Sequence, residues 1–112
     1  MKLEELYIDV NGNYEEVVSR FGGSEAMVNK FVHRFLDDHS IDDCNSEDLE
    51  TAFRGSHTMK GICLNLGFQS LFEISNELTE KLRPLEKVDY KDLLNKLNKE
   101  YERIVSLIKE VE

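Results

Sequence analysis

His57 and Lys60 stand three residues apart in Phe53-Arg54-Gly55-Ser56-His57-Thr58-Met59-Lys60-Gly61-Ile62-Cys63-Leu64-Asn65-Leu66-Gly67, a stretch with helical periodicity. Imidazole is the one side chain substantially neutral, and so nucleophilic, near pH 7 without special help. A lysine ammonium one helical turn away can meet an anionic group brought to that nucleophile. With His57 at zero on a wheel advancing about 100° per residue, Met59, Ile62, Leu66, Ala52 and Gly55 fall near the opposite side. The pattern predicts that His57 faces solvent from mid-helix, away from the packing face. Gly61 shares the histidine's side and removes a side chain beside it, while Phe53 and Leu64 flank it as an apolar rim. Arg54, roughly 60° away on the wheel, is placed to supply a second charge or a partner contact. Together these residues describe a docking surface with a nucleophile at its centre.

Each of these residues also has a plainer reading. A lone histidine on a helix is ordinarily a surface residue, and Lys60 without His57 is a solvated lysine. Gly61 could serve close helix packing, but it lies on the histidine's side; Gly55 lies on the core side, where packing is preferred. Phe53 and Leu64 fit the rim of the core as well as they fit docking. Cys63 sits roughly 120° from His57, a poor arrangement for a nucleophile–base pair. The spacing of Cys44 and Cys63 suits no metal, and two reduced thiols are expected. His33 and His39 are incidental, since their spacing fits no metal pair on one helix face. The acids read as solvated faces and helix N-terminal charges, so no metal site is expected.

The elements that must position this stretch follow from the same periodicity. A short helical turn is expected before Gly12, then an amphipathic helix over 14–21 stopped by Gly22-Gly23. Ser24 is placed to cap a helix over about 25–38, with Met27, Val28, Phe31, Val32, Phe35 and Leu36 on a broad apolar face. The acidic segment 37–45 reads as a loop. Ser46 or Asn45 then caps the central helix, with Glu47, Asp48 and Glu50 in its positive first turn. That helix should run to Leu66, where Gly67 suits a left-handed C-terminal position. A further helix over about 68–83 carries Leu71, Ile74, Leu78 and Leu82 and ends at Pro84. Asp89 can cap a last helix striped by Leu93, Leu97, Tyr101, Ile104, Leu107 and Ile108. No strand-like alternation of useful length appears. The prediction is an all-α fold: an antiparallel up-and-down four-helix bundle with one or two short extra N-terminal helices.

The chain has 112 residues, 40% apolar and 33% charged, with a formal charge of −9. One domain over 1–112, standing alone, is expected. The negative charge argues against general affinity for nucleic acid or anionic membrane. No apolar run has the length of a membrane span, and the N-terminus has no signal-peptide character, so a cytoplasmic location is expected. No glycine-rich phosphate loop is present and no room remains for an ATP-binding domain, which argues against an autokinase.

His57-x-x-Lys60-Gly61, followed by Asn65-Leu66-Gly67-Phe68-Gln69 and a second helical run, resembles the histidine-containing phosphotransfer (HPt) domain of bacterial phosphorelays. Arg20-Phe21-Gly22-Gly23 before a helix also looks like the family, whereas Gly55-Ser56 and Ile62-Cys63 depart from its usual residues. The resemblance implies a phosphocarrier rather than an enzyme. His57 would accept a phosphoryl group through Nε2 from a receiver-domain aspartate and pass it to another receiver. Lys60 would stabilise the phosphoryl charge and Gly61 would clear space for the receiver. Gln69 would hydrogen-bond the phosphoryl group or the ring. Phe53, Arg54 and Leu64 would contact the partner, a receiver of a response regulator or hybrid histidine kinase. No cofactor is implied, Mg²⁺ belonging to the receiver, and a monomer is expected. Three other readings stay open: an HPt-like interaction module that carries no phosphate, a small helical enzyme using Cys63 or His57, and a structural bundle with no site.

Overall fold

The computed structural model describes residues 1–112 and contains helices and no strands. Two short helices, α1 (Leu3–Asp9) and α2 (Tyr14–Arg20), precede α3 (Glu25–Arg34). Ser24 caps α3 as its sequence predicts, its side chain accepting from the Met27 amide at 3.1 Å. Instead of continuing to residue 38, α3 tightens into a 3₁₀ turn at Phe35–Asp37. Segment 37–45 is not all loop either: it holds a fourth helix, α4 (Ser40–Cys44), of five residues. Its short length and its acids, Asp42 and Asp43, conceal it in the sequence, since five residues give too little periodicity to see.

The central helix α5 (Leu49–Leu66) starts at a different cap from the one expected. Asp48, rather than Ser46 or Asn45, accepts from the Thr51 amide at 3.0 Å and the Thr51 hydroxyl at 2.7 Å. Those bonds hold the exposed Asp48 carboxyl below its ordinary range. Ser46 sits one step outside, accepting from the Asp48 amide at 3.1 Å. The acid assigned to the first turn is therefore the cap itself. At the other end Gly67 takes φ 76°, a left-handed conformation that costs a residue with a Cβ.

The last carbonyls of α5 have no partner within the helix and need one elsewhere. The Arg20 guanidinium donates to Leu64 and Asn65 oxygens at 2.9 and 2.6 Å, and the Tyr7 hydroxyl donates to the Leu66 oxygen at 2.6 Å. The two N-terminal helices thus hold the C-terminal end of α5, and Leu6, Tyr7, Val10 and Val17 are buried there.

After Gly67 and Phe68 the chain reverses into α6 (Gln69–Leu82), antiparallel to α5. Pro84 follows the helix end, and α7 (Lys91–Glu110) closes the bundle. Tyr90 holds the N-cap position of α7, with Asp89 beside it accepting from the Lys91 amide at 3.1 Å. The predicted stripe of α7 is turned inward, with Leu97, Ile104 and Ile108 buried and Leu93, Tyr101 and Leu107 packed at the edge. The four long helices share one core, in which Val32, Met59, Leu78 and Ile104 are fully buried. Met27, placed on the apolar face of α3, is instead exposed. No helix is long and apolar enough to cross a membrane.

α4 lies directly on α5 at Gly55. A Cβ on Gly55 would stand 2.6 Å from both the Asp43 Cβ and the Cys44 amide nitrogen. The glycine is therefore required by packing, as its place on the core side predicts. Gly55→Ala should lower stability by about 1–3 kcal/mol through overpacking against backbone, outweighing the roughly 1 kcal/mol that alanine gains in helix propensity. Urea denaturation of the two proteins reads this difference; an unchanged or raised midpoint would contradict the close approach.

Candidate functional site

Helix α5 buries Ala52, Gly55, Ser56, Met59, Cys63 and Leu66 and leaves His57, Thr58, Gly61 and Leu64 exposed. The buried arc is rotated toward Ser56 and Cys63 from the centre the apolar pattern suggests, and Ile62 is only half-buried. Ser56 can be buried there because it is small and its hydroxyl is satisfied by donating back to the Phe53 carbonyl at 2.9 Å. His57 remains on the open side, so its position opposite the packing face is observed.

Lys60 follows one turn later, half-buried, and enters no ion pair. Its ammonium is held by no salt bridge, although its charge is felt by the Glu80 carboxyl. At Gly61 nothing lies within 4 Å of where a Cβ would stand. This glycine serves no packing contact; it keeps the surface beside His57 low. Phe53 is half-buried and meets His57 edge to face, with ring centroids 6.1 Å apart at 71°. Leu64 is 55% exposed, beyond what a rim residue of the core needs. Arg54 is exposed and loosely paired with Glu50 at 3.9 Å.

Two residues that the sequence did not single out complete the surface. The antiparallel turn at Gly67 brings the C-terminal end of α6 level with His57. There Arg83 grips Glu80 with a two-pronged contact, Nε to Oε2 at 3.1 Å and Nη2 to Oε1 at 2.8 Å. The Arg83 guanidinium also lies over the Phe53 ring, 5.4 Å from its centroid. Hydrogen bonds from Arg83 hold the Glu80 carboxyl below the usual range, with smaller contributions from the charges of Lys60 and His57. Counting residues back from a tight turn at 67–68 would have paired position 57 with the region of 78–80. The i,i+3 spacing of Glu80 and Arg83 was the remaining sign.

Gln69 lies elsewhere. It begins α6 at the turn, where its amide donates to Glu73 at 3.3 Å. Its level along the hairpin is that of Leu66, nine residues or about 14 Å of helix from His57. A hydrogen bond from Gln69 to the His57 ring is not part of this geometry.

The remaining histidines and the cysteines are set apart from this surface. His33 places its ring nitrogens 2.9 Å from the Asn29 oxygen and 3.3 Å from the Val111 oxygen, tying α3 to the C-terminal residues. His39 is exposed, 3.8 Å from Asp42. No group of three or more His, Cys, Asp or Glu side chains is arranged to hold a metal ion. Cys44 and Cys63 are both fully buried. Burial pushes the Cys44 thiol up to about 12 and the Cys63 thiol higher still. Neither can serve as a thiolate nucleophile near neutral pH.

Comparison with protein-family models gives a match to the Hpt domain over residues 24–107. No curated protein and no solved structure matches the chain. The matched span takes in α3 through most of α7 and leaves α1 and α2 outside it.

Because both thiols are protonated and enclosed, the native protein at pH 8 should react with less than a tenth of its thiol content under Ellman's reagent in minutes. Unfolding in guanidinium should release both at once. Rapid reaction of one thiol in the native protein would show that its enclosure is incomplete.

Proposed function

The chain belongs to the Hpt domain family, and from that footing we propose that it is a phosphorelay intermediate with His57 as phosphoacceptor. The observation that carries this reading is the exposure of His57 on α5, directly away from the buried face, with an unpaired Lys60 one turn on and empty space at Gly61. A histidine so placed can enter the concave site of a receiver domain, which a buried one cannot.

The step this geometry supports is a transfer from an aspartyl phosphate. The lone pair of the His57 Nε2 forms a bond to phosphorus as the bond from phosphorus to the aspartyl oxygen breaks, and the electron pair leaves on the carboxylate. The proton on the other ring nitrogen can then pass to solvent. Such a transfer depends on positioning and charge stabilisation more than on covalent chemistry by the protein. Lys60 supplies the charge, its ammonium meeting the equatorial oxygens as they arrive. Phe53 steadies the imidazole edge and, with Leu64 and Arg54, forms the docking rim. Any Mg²⁺ in the reaction belongs to the receiver. His57 is charged only by a partner, and because phosphohistidine and aspartyl phosphate exchange reversibly, the module can feed a relay or drain it. A single convex site suits one receiver at a time and a monomeric carrier. The cellular location consistent with receiver partners is the cytoplasm.

Transfer from a panel of phosphorylated receiver domains tests the reading. Wild type should gain an acid-labile, alkali-stable label, and His57→Gln should gain none while keeping its helical content. Lys60→Ala should slow transfer about 10- to 100-fold, the worth of one charge-assisted hydrogen bond. Gly61→Leu should melt within a few degrees of wild type yet transfer at least tenfold more slowly. Receivers that bind wild type but never label it would favour the interaction-module reading instead.

A further inference from the structure

The ion pair of Glu80 and Arg83 is an unexpected thing to find beside a phosphate-accepting histidine. Arg83 is a further cation at this surface, yet it is not free. Glu80 holds it in a two-pronged contact at 2.8 and 3.1 Å, and its guanidinium rests on the Phe53 face, 5.4 Å from the ring centroid. Phe53 in turn contacts His57 edge to face at 6.1 Å. His57, Phe53, Arg83 and Glu80 thus form one continuous path across the hairpin of α5 and α6. Both members of the ion pair are about half exposed, with side-chain accessibilities of 50% and 54%, so the pair is free to break and reform. A solvent-exposed pair of this kind contributes little to stability, which leaves its position as the feature to explain.

We infer that Glu80 is a positioning residue that limits how strongly His57 holds a phosphoryl group, by keeping Arg83 parked on Phe53 and by placing a carboxylate charge beside the site. The inference rests on the phosphocarrier reading of His57. A carrier must give up what it accepts, and a site with two free cations would favour the phosphorylated state over onward transfer. The Glu80 carboxylate acts in both ways toward release. It competes with the phosphoryl oxygens for Arg83, and it repels their negative charge directly. Lys60 remains unpaired to assist the transfer itself.

The test compares wild type with Glu80→Gln, which preserves shape and removes the charge. Glu73→Gln serves as control, seven residues or about 10 Å back along α6. His57 is loaded with phosphoramidate at a fixed ratio of phosphoramidate to ammonia, and the phosphorylated fraction is read by ³¹P NMR. In that exchange the phosphorus–nitrogen bond of the donor breaks, ammonia leaves with the electron pair, and the bond to the ring forms. Glu80→Gln should raise the ratio of phosphorylated to free His57 about three- to tenfold, and the gain should shrink as salt is added. Glu73→Gln should leave the phosphorylated ratio at the wild-type value. Arg83→Gln in the Glu80→Gln background should remove part of the gain. An equal phosphorylated ratio in wild type and Glu80→Gln overturns the inference. The small-molecule donor keeps the two claims separate: a His57 that loads from phosphoramidate but from no receiver would overturn the relay role and leave the effect of Glu80 to be read on its own.

Discussion

Helix α5 must be buried along one side and open along the other for its whole length, and the rest of the molecule is arranged to meet that demand. A helix of eighteen residues packed on one face needs neighbours that come close without wrapping round it. Gly55 lets the short helix α4 rest on the α5 backbone, and Cys63, Met59 and Leu66 turn the same side into the core. What is left on the far side is a ridge with His57 near its middle. The chemistry proposed for the histidine needs no pocket, only a ridge that does not shift when another protein presses on it. The rigidity comes from the buried face, and the access comes from the exposed one.

The hairpin of α5 and α6 converts that ridge into a composed surface. Because only Gly67 and Phe68 separate the two helices, their register is fixed at the turn and carried along both. The C-terminal end of α6 is delivered beside Phe53 and His57, bringing Arg83 and Glu80 to a site already containing Lys60. In a chain with a formal charge of −9, cations gathered at one place stand out from an acidic background. They are not all equally available, since Arg83 is matched by Glu80, Arg54 leans on Glu50, and Lys60 alone is unpaired.

Much of this was legible in the sequence because it rests on periodicity, and periodicity survives without a structure. The four long helices, the left-handed Gly67, the N-cap at Ser24 and the outward direction of His57 all follow from spacing and local chemistry. The features that were not legible are those decided by contact between distant segments. Helix α4 is too short to show a period, and it exists because Ser40 and Cys44 are buried against α5. Asp48 could not be told from its acidic neighbours as the cap until Thr51 was seen to donate to it twice. Gln69 looked close to His57 because both belong to one motif, but closeness in sequence across a reversal of direction places it at the far end of the hairpin. Glu80 and Arg83 look like an ordinary helix ion pair in the sequence; only the antiparallel register brings them to the histidine.

The bonds that finish α5 at its C-terminal end span great distances in the chain. Tyr7 and Leu66 are 59 residues apart, and Arg20 reaches Asn65 across 45. By contrast the reversal into α6 closes over two residues. Joining distant segments costs more chain entropy than closing a tight turn, and such contacts slow the search for the native state. The central hairpin can therefore organise from its own sequence, while the end of α5 remote from His57 waits for the first twenty residues to arrive. Those residues lie outside the span matched to the family, which begins at 24. A fragment cut at that boundary keeps the histidine, the lysine and the ion pair, but it leaves three carbonyls of the central helix to water and uncovers the apolar surface against which Leu6, Tyr7, Val10 and Val17 are buried. The boundary of recognisable sequence and the boundary of the cooperative unit are different in this molecule.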